Sequence, residues 1–518
     1  MRLGWISLLA LTAGLAVSTA QASPVTVTVD TGKPGATIDR HIFGQFAEHL
    51  GSGVYGGIWV GKDSPIPNTR GIRNDVVAAL KAIKVPDVRW PGGCYADTYH
   101  WRDGIGAKRN ARVNTNWGGV IDSNAFGTDE YMDFVDQVGT EAYVSLNIGS
   151  GTVKEAADWM EYMTADQPTA LQQERAANGH PAPYKVALMG LGNESWDCGG
   201  LMTPDEYTAQ MRLYGRFVNS FNTTSPTLKI AVGPGTDDTT WTEAVMKTWK
   251  DHRGWSFDLQ GLSLHSYTVA GGWPPHAPAT GFDEQAYADV LAETLKMGPL
   301  IDKQSAVMDK YDPDKKIALV VDEWGAWYAP TPGSKPGFLV QQNTQRDALL
   351  AALNLNIFAR RADRVRMANI AQMINVLQAM IFTDGRKMVL TPTYHVFHMY
   401  VPFQDATVLP VTYDAGSYVE GHVTLPRLDA IAARGKDGKV YVSLTNLDPK
   451  TPLEVDLAAM GLKARAATGE TLTAPKIDSM NDFDHPETVK PSPVKAMLSN
   501  GKLMLKLAPE SVTVVELE

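Results

Sequence analysis

Two glutamates stand where apolar runs stop. Glu194 follows Val186–Leu191 through Gly192-Asn193, and Glu323 follows Ile317–Val321 through Asp322, with Trp324 next. Two carboxyl groups brought together can split a glycosidic bond. One protonates the departing oxygen; the other attacks the anomeric carbon or activates water to do so. Other polar residues sit at the ends of similar runs. Glu48 and His49 follow Ile42–Phe46, and Arg89 lies in Asp87–Trp90, ahead of Pro91-Gly92-Gly93-Cys94. Asn147 ends Ala142–Ile148, His265 and Tyr267 follow Gly261–Leu264, and Gln372 comes just before Leu377–Phe382. Side chains alternate along a strand, so Asp322 is expected on the opposite face from Glu323.

These runs, with Ile230–Val232, make eight strand-like segments. Helical patterns separate most of them. Val76, Val77, Leu80 and Ile83 share one helix face, as do Tyr131, Phe134, Val135 and Val138. Thr203-Pro204-Asp205-Glu206 reads as a capping box with proline at the first helical position. Residues 343–361 read as a long helix with Leu349, Leu350, Leu353 and Ile357 on one side. Eight strand–helix units predict a (β/α)8 barrel, whose chemistry gathers at the C-terminal ends of the strands. After about Thr391 the alternation ends. Val440–Leu444 and Val512–Val515 are strand-like, and Asp437-Gly438 signals a hairpin. The tail therefore reads as an antiparallel β domain, and the early strand Val25–Val29 has its natural place there.

The chain has 518 residues, with 47 Lys+Arg against 57 Asp+Glu, a net charge of −10. That balance disfavours general nucleic-acid binding, which needs a basic face. Apolar residues at 44% and charged residues at 20% fit a folded globular protein. Arg2, the apolar run Leu3–Val17 and Ala20-Gln21-Ala22 match a cleavable leader over residues 1–22. On that reading the protein is secreted or periplasmic, with no membrane association after processing. Gly51–Gly56 matches G-x-G-x-x-G, but no helix pattern follows, so a dinucleotide site is not expected. No H-E-x-x-H, zinc-spaced Cys/His cluster or P-loop is present, and no metal or cofactor is expected. The two cysteines, Cys94 and Cys198, follow strands two and four at one rim of the expected barrel. A disulfide between them is expected; two free thiols are the alternative.

The sequence resembles family 51 of the glycoside hydrolases, the α-L-arabinofuranosidases. The resemblance rests on Phe43-Gly44-Gln45-Phe46-Ala47-Glu48-His49-Leu50, Arg89-Trp90-Pro91-Gly92-Gly93-Cys94 and Tyr99–Gly106. It continues through Gly192-Asn193-Glu194, Ser263–Tyr267, Asp322-Glu323-Trp324, Ala368–Gln372 and Thr391–Phe397, spanning nearly the whole chain. It implies Glu194 as general acid/base and Glu323 as nucleophile, with retention of configuration. It implies that Glu48, Asn193, Tyr267 and Gln372 hold a terminal arabinofuranosyl ring, with Arg89 and Cys94 lining the site. Asn147 and His265 join the expected substrate-binding set. The tail becomes a jelly-roll sandwich completed by the N-terminal strand, giving residues 23–41 and 396–518 to the sandwich and 42–395 to the barrel. Arabinose-containing plant polysaccharides and oligosaccharides become the expected substrates, and many members of that family are homo-oligomers. Ser52, after His49-Leu50-Gly51, and the loop Ser195–Cys198 depart from the family pattern on the leaving-group side. An endo-β-glucanase or β-xylosidase on the same barrel, and a non-catalytic carbohydrate-binding protein, are the rival readings.

Overall fold

The computed structural model describes residues 23–254, 257–500 and 502–518. Eight parallel strands close into a barrel in chain order: Gly44–Phe46, Asp87–Trp90, Glu141–Ser145, Val186–Leu191, Leu228–Ala231, Gly261–Thr268, Ala318–Ala326 and Val365–Ile370. Helices connect them around the outside. Asn74–Ala82 buries Val76, Val77 and Leu80 against the barrel. Pro204–Phe217 starts at Thr203, whose side chain accepts from Glu206 N while Glu206 reaches back, as the sequence predicts.

Three expected strands needed correction. The first begins at Gly44, because Arg40–Phe43 forms a 3-10 turn capped by Asp39. The third stops at Ser145, which leaves Asn147 in a loop. The eighth is Val365–Ile370, not Leu377–Phe382. The latter stretch runs into a separate hairpin, Ile381–Asp384 with Lys387–Leu390. It is apolar because Leu377, Ala379, Met380 and Ile381 are buried, and burial alone does not make a strand. The true eighth strand carries Arg366 and Asn369, which interrupt its hydrophobic pattern. Gln372 therefore follows strand eight, where barrel chemistry belongs.

The tail forms a ten-stranded sheet that folds on itself. Val27, Val29, Ala430, Ala432, Val442, Val455, Leu505 and Val515 meet in its interior. Val25–Asp30 completes it, running parallel to Leu453–Met460 and antiparallel to Val411–Thr412. Helix Gln345–Arg360 lies between sheet and barrel, so nearly all its residues are buried rather than one side only. Asn356 Nδ2 donates to Asp429 Oδ2 at 2.7 Å, and Gln345 Nε2 to the Glu510 carbonyl at 2.6 Å. Among the described residues no helix is long and apolar enough to cross a membrane.

Candidate active site

At the C-terminal rim the structure brings Glu48, Cys94, Glu194, Tyr267, Glu323 and Gln372 around one cavity. Glu323 is held from both sides: Arg89 Nη1 donates to Oε1 at 2.7 Å and the Tyr267 hydroxyl to Oε2 at 2.6 Å. Arg89 lies beneath, fully buried, and its Nη2 donates to Asn193 Oδ1 at 2.6 Å. It fixes two site residues and lies under the cavity rather than lining it. Burial opposes the Arg89 charge, but Asp322 and Glu323 raise its pKa nonetheless.

Glu194 sits on a tight turn with φ +37°, a left-handed conformation costly for a side chain other than glycine. Its Oε1 meets His265 Nδ1 at 2.9 Å. One oxygen of Glu194, one oxygen of Glu323 and one His265 nitrogen all lie within 4.8 Å of one another. Burial pushes the Glu194 carboxyl up and the Glu323 charge adds to this, while the His265 hydrogen bond opposes it. Burial acts to lower His265, yet Glu323, Asp322 and Glu194 together lift it to about 10. Arg89 and His265 thus supply, from the protein, the positive charge that a cation would bring to this cluster.

Glu48 Oε1 accepts from the backbone N–H groups of Gly93 and Tyr95 at 3.1 and 3.0 Å, and Oε2 from Gln372 Nε2 at 3.0 Å. Burial and the Glu323 charge push Glu48 up to about 7. Glycine is required nearby: a Cβ on Gly93 would stand 2.7 Å from Glu323 Oε1, and one on Gly92 2.5 Å from Glu48 Cγ.

Asp322 does not point away from Glu323 as strand alternation predicts. Its Oδ2 lies 3.6 Å from Arg89 Nε, and its Oδ1 3.3 Å from His265 Nε2, the same two side chains that meet Glu323. The cause is a bulge. Ser263 pairs with Val320 but His265 with Glu323, so strand seven carries one extra residue there. Asp322 is buried below, accepting from the hydroxyls of Tyr143 and Ser263 at 2.7 and 2.6 Å. Burial acts to raise it, but Arg89 and His265 hold it well below the usual carboxylate range.

Asn147 is not brought into the cavity. Its amide is used up by the adjoining loop, accepting from the N–H groups of Ser150 and Gly151 and donating to the Tyr99 carbonyl. His265 is a wedge between carboxylates rather than a rim group. Cys94 is joined to Cys198 in a disulfide, with Cα atoms 5.5 Å apart. Trp117, Trp327 and Leu339 also line the cavity and carried no signal in the sequence, and Leu377, read there as a strand residue, lines it from a loop. The first three lie on long connections without periodic pattern. Trp327 packs edge-on against Tyr267, and the exposed Trp273 against Trp327.

The profile of the α-L-arabinofuranosidase 1 domain matches residues 79–267, and that of the α-L-arabinofuranosidase C-terminal domain residues 322–511. An intracellular exo-α-L-arabinofuranosidase of Bacteroides ovatus is 44% identical over 98% of each chain. Its name overturns the expectation of a secreted or periplasmic protein; the leader pattern behind that expectation falls outside the described residues. The crystal structure of the GH51 arabinofuranosidase from Xanthomonas axonopodis pv. citri matches with TM-score 0.92 and 53% identity, covering 95% of this chain and all of that one. The arabinose complex of the Thermotoga maritima α-L-arabinofuranosidase matches with TM-score 0.81 and 30% identity over the same shares. On these grounds, with a parallel barrel and a rim of paired carboxylates already in place, the chain belongs to the α-L-arabinofuranosidases of glycoside hydrolase family 51.

Proposed function

We propose that the enzyme removes terminal arabinofuranosyl residues from arabinoxylan, arabinan or their oligosaccharides by a retaining double displacement. Residues 42–395 carry the chemistry, and 23–41 with 396–518 form the supporting sandwich. The observation that carries this reading is the closeness of one Glu194 oxygen, one Glu323 oxygen and one His265 nitrogen, all within 4.8 Å of one another. That spacing favours direct attack by a carboxylate, since an intervening water needs the carboxyl groups about 6.5–9.5 Å apart.

Glu323, ionised and oriented by Arg89 and Tyr267, attacks the anomeric carbon. Glu194 gives its proton to the leaving oxygen; burial and the Glu323 charge both favour its protonated form. Once the glycosyl ester forms, Glu323 is neutral, and Glu194 takes a proton from water. Asn193 has its amide oxygen committed to Arg89 and one Nδ2 hydrogen turned to Cys198 Sγ at 3.7 Å, which leaves the other to donate to the sugar 2-hydroxyl. Glu48 and Gln372, bonded to each other, face the same cavity and bind ring hydroxyls.

Leaving-group dependence tests the roles. A nitrophenolate departs without a proton, whereas a xylose hydroxyl does not. Glu194→Ala is expected to lose about 10²–10⁴-fold in kcat/KM on arabinoxylo-oligosaccharides and far less on nitrophenyl arabinofuranoside. Azide is expected to restore turnover and give an arabinosyl azide of retained configuration. Glu323→Ala is expected to be inactive on both substrates. Equal losses for Glu194→Ala, with no azide rescue, overturn the assignment. An inverted first-formed sugar by proton NMR overturns retention.

A further inference from the structure

The two oxygens of Glu194 have unlike surroundings. Oε1 faces His265. Oε2 faces sulfur: Cys198 Sγ lies at 3.5 Å and Cys94 Sγ at 4.0 Å. Those atoms are joined to each other, so neither carries a hydrogen to donate. Cys198 belongs to the same turn as Glu194, where the N–H groups of Asp197 and Gly199 donate to the Glu194 carbonyl at 2.7 and 3.1 Å. Cys94 opens the 3-10 turn after strand two and is tied through its carbonyl to Asn116 Nδ2 at 3.0 Å. The bond therefore fastens the turn bearing Glu194, strained at φ +37°, to a different part of the rim.

Resting on the reading of Glu194 as acid/base, we propose that the Cys94–Cys198 disulfide is its positioning device. It clamps the 194–200 turn and keeps hydrogen-bond donors away from Oε2, so a dithiol reductant slows the enzyme selectively on poor leaving groups. The reduction balances: the dithiol loses two electrons and two protons and closes to its own disulfide, and Cys94 and Cys198 each gain a hydrogen. The new S–H groups donate to Oε2 and stabilise the carboxylate, which lowers its pKa and leaves less of Glu194 protonated for the first step. His265, Glu323, Arg89 and Tyr267 also act on this carboxyl or share its field, and the hydrogen bonds that hold them involve neither sulfur. Cys198 is not buried, so the bond is open to a soluble reductant.

The test compares the full-length enzyme before and after dithiothreitol, with titration of two thiols and circular dichroism to establish reduction of a folded protein. Reduction is expected to lower kcat/KM on arabinoxylo-oligosaccharides about fivefold or more, and on nitrophenyl arabinofuranoside less than about twofold. The alkaline limb of the oligosaccharide pH profile is expected to move to lower pH by about half a unit or more. Cys198→Ser, which keeps a donor, is expected to reproduce the pH shift. Cys198→Ala, which removes both clamp and donor at that position, is expected to lose oligosaccharide activity with a smaller shift. If the bond resists reduction in the folded protein, these two variants carry the test. Superimposable profiles, or equal losses on both substrates, overturn the inference. Glu194→Ala separates the two failures. Leaving-group dependence there, without any effect of reduction, rejects only the disulfide's role; its absence there rejects the acid/base reading itself.

Discussion

The two ends of one barrel are built on opposite principles. The upper end packs Glu48, Arg89, Glu194, His265, Asp322 and Glu323 together, most of them buried. Deeper in the barrel, Leu188, Ile230, Ala318, Val320 and Met367 close into an apolar plug. Tyr143 belongs to both: its ring joins the plug and its hydroxyl donates to Asp322 at 2.7 Å. The plug gains stability from burial; the charged end spends it to keep reactive groups desolvated and aimed. The same strands thus supply a foundation and a strained site.

Breaking the charged end is expected to cost most. Arg89→Met leaves Asp322 and Glu323 buried with only His265 of their two shared cations, so a loss of about 3 kcal/mol is expected with loss of activity. Urea unfolding measures it; a loss below about 1 kcal/mol would mean that the upper end is not held by charge pairing.

A pH series sharpens the contrast. Glu48 is lifted from an ordinary value of 4.5 to about 7 in the folded protein. A raised carboxyl contributes stability below the unfolded value and loses it as pH rises through the folded one. Wild type should therefore weaken between about pH 4.5 and 7, by at most about 3 kcal/mol, and Glu48→Gln should not. Melting temperatures of the two proteins are expected to diverge as pH rises. Parallel curves would show that Glu48 ionises there at no cost.

The smallest effect is expected in the plug. Met367→Ala should cost about 2 kcal/mol, at the low end for such a truncation, and leave kcat/KM of the folded enzyme within about twofold. A large change in kcat/KM would mean that the plug shapes the site as well as supporting it.

The helices, and the runs that bring Leu188, Ile230 and Val320 to the plug, were legible in the sequence because burial writes a pattern into the chain; Met367, on the missed eighth strand, was not. Val76, Leu80 and the Thr203 capping box needed nothing beyond local spacing. The site was legible as residue types at strand ends, and its geometry was not. The bulge that turns Asp322 inward arises from pairing with strand six, which no local pattern reports. Val365–Ile370 hid because its inner face carries Asn369, whose amide donates to Asp87 and to the Gln45 carbonyl inside the barrel. Asn147 looked like a rim residue from its place in the chain, but the loop after it claims its amide.

The strand Val25–Asp30 gives the molecule a seam in time as well as in space. It pairs with Leu453–Met460, so at ribosomal rates of about 5–20 residues per second roughly 430 residues and tens of seconds of synthesis separate the two partners. The barrel can close behind the ribosome while this first strand waits with its edge unpaired. Completion of the sandwich is therefore a late event of synthesis, shared by this first strand with the strands Lys502–Leu507 and Ser511–Leu517 at the other end.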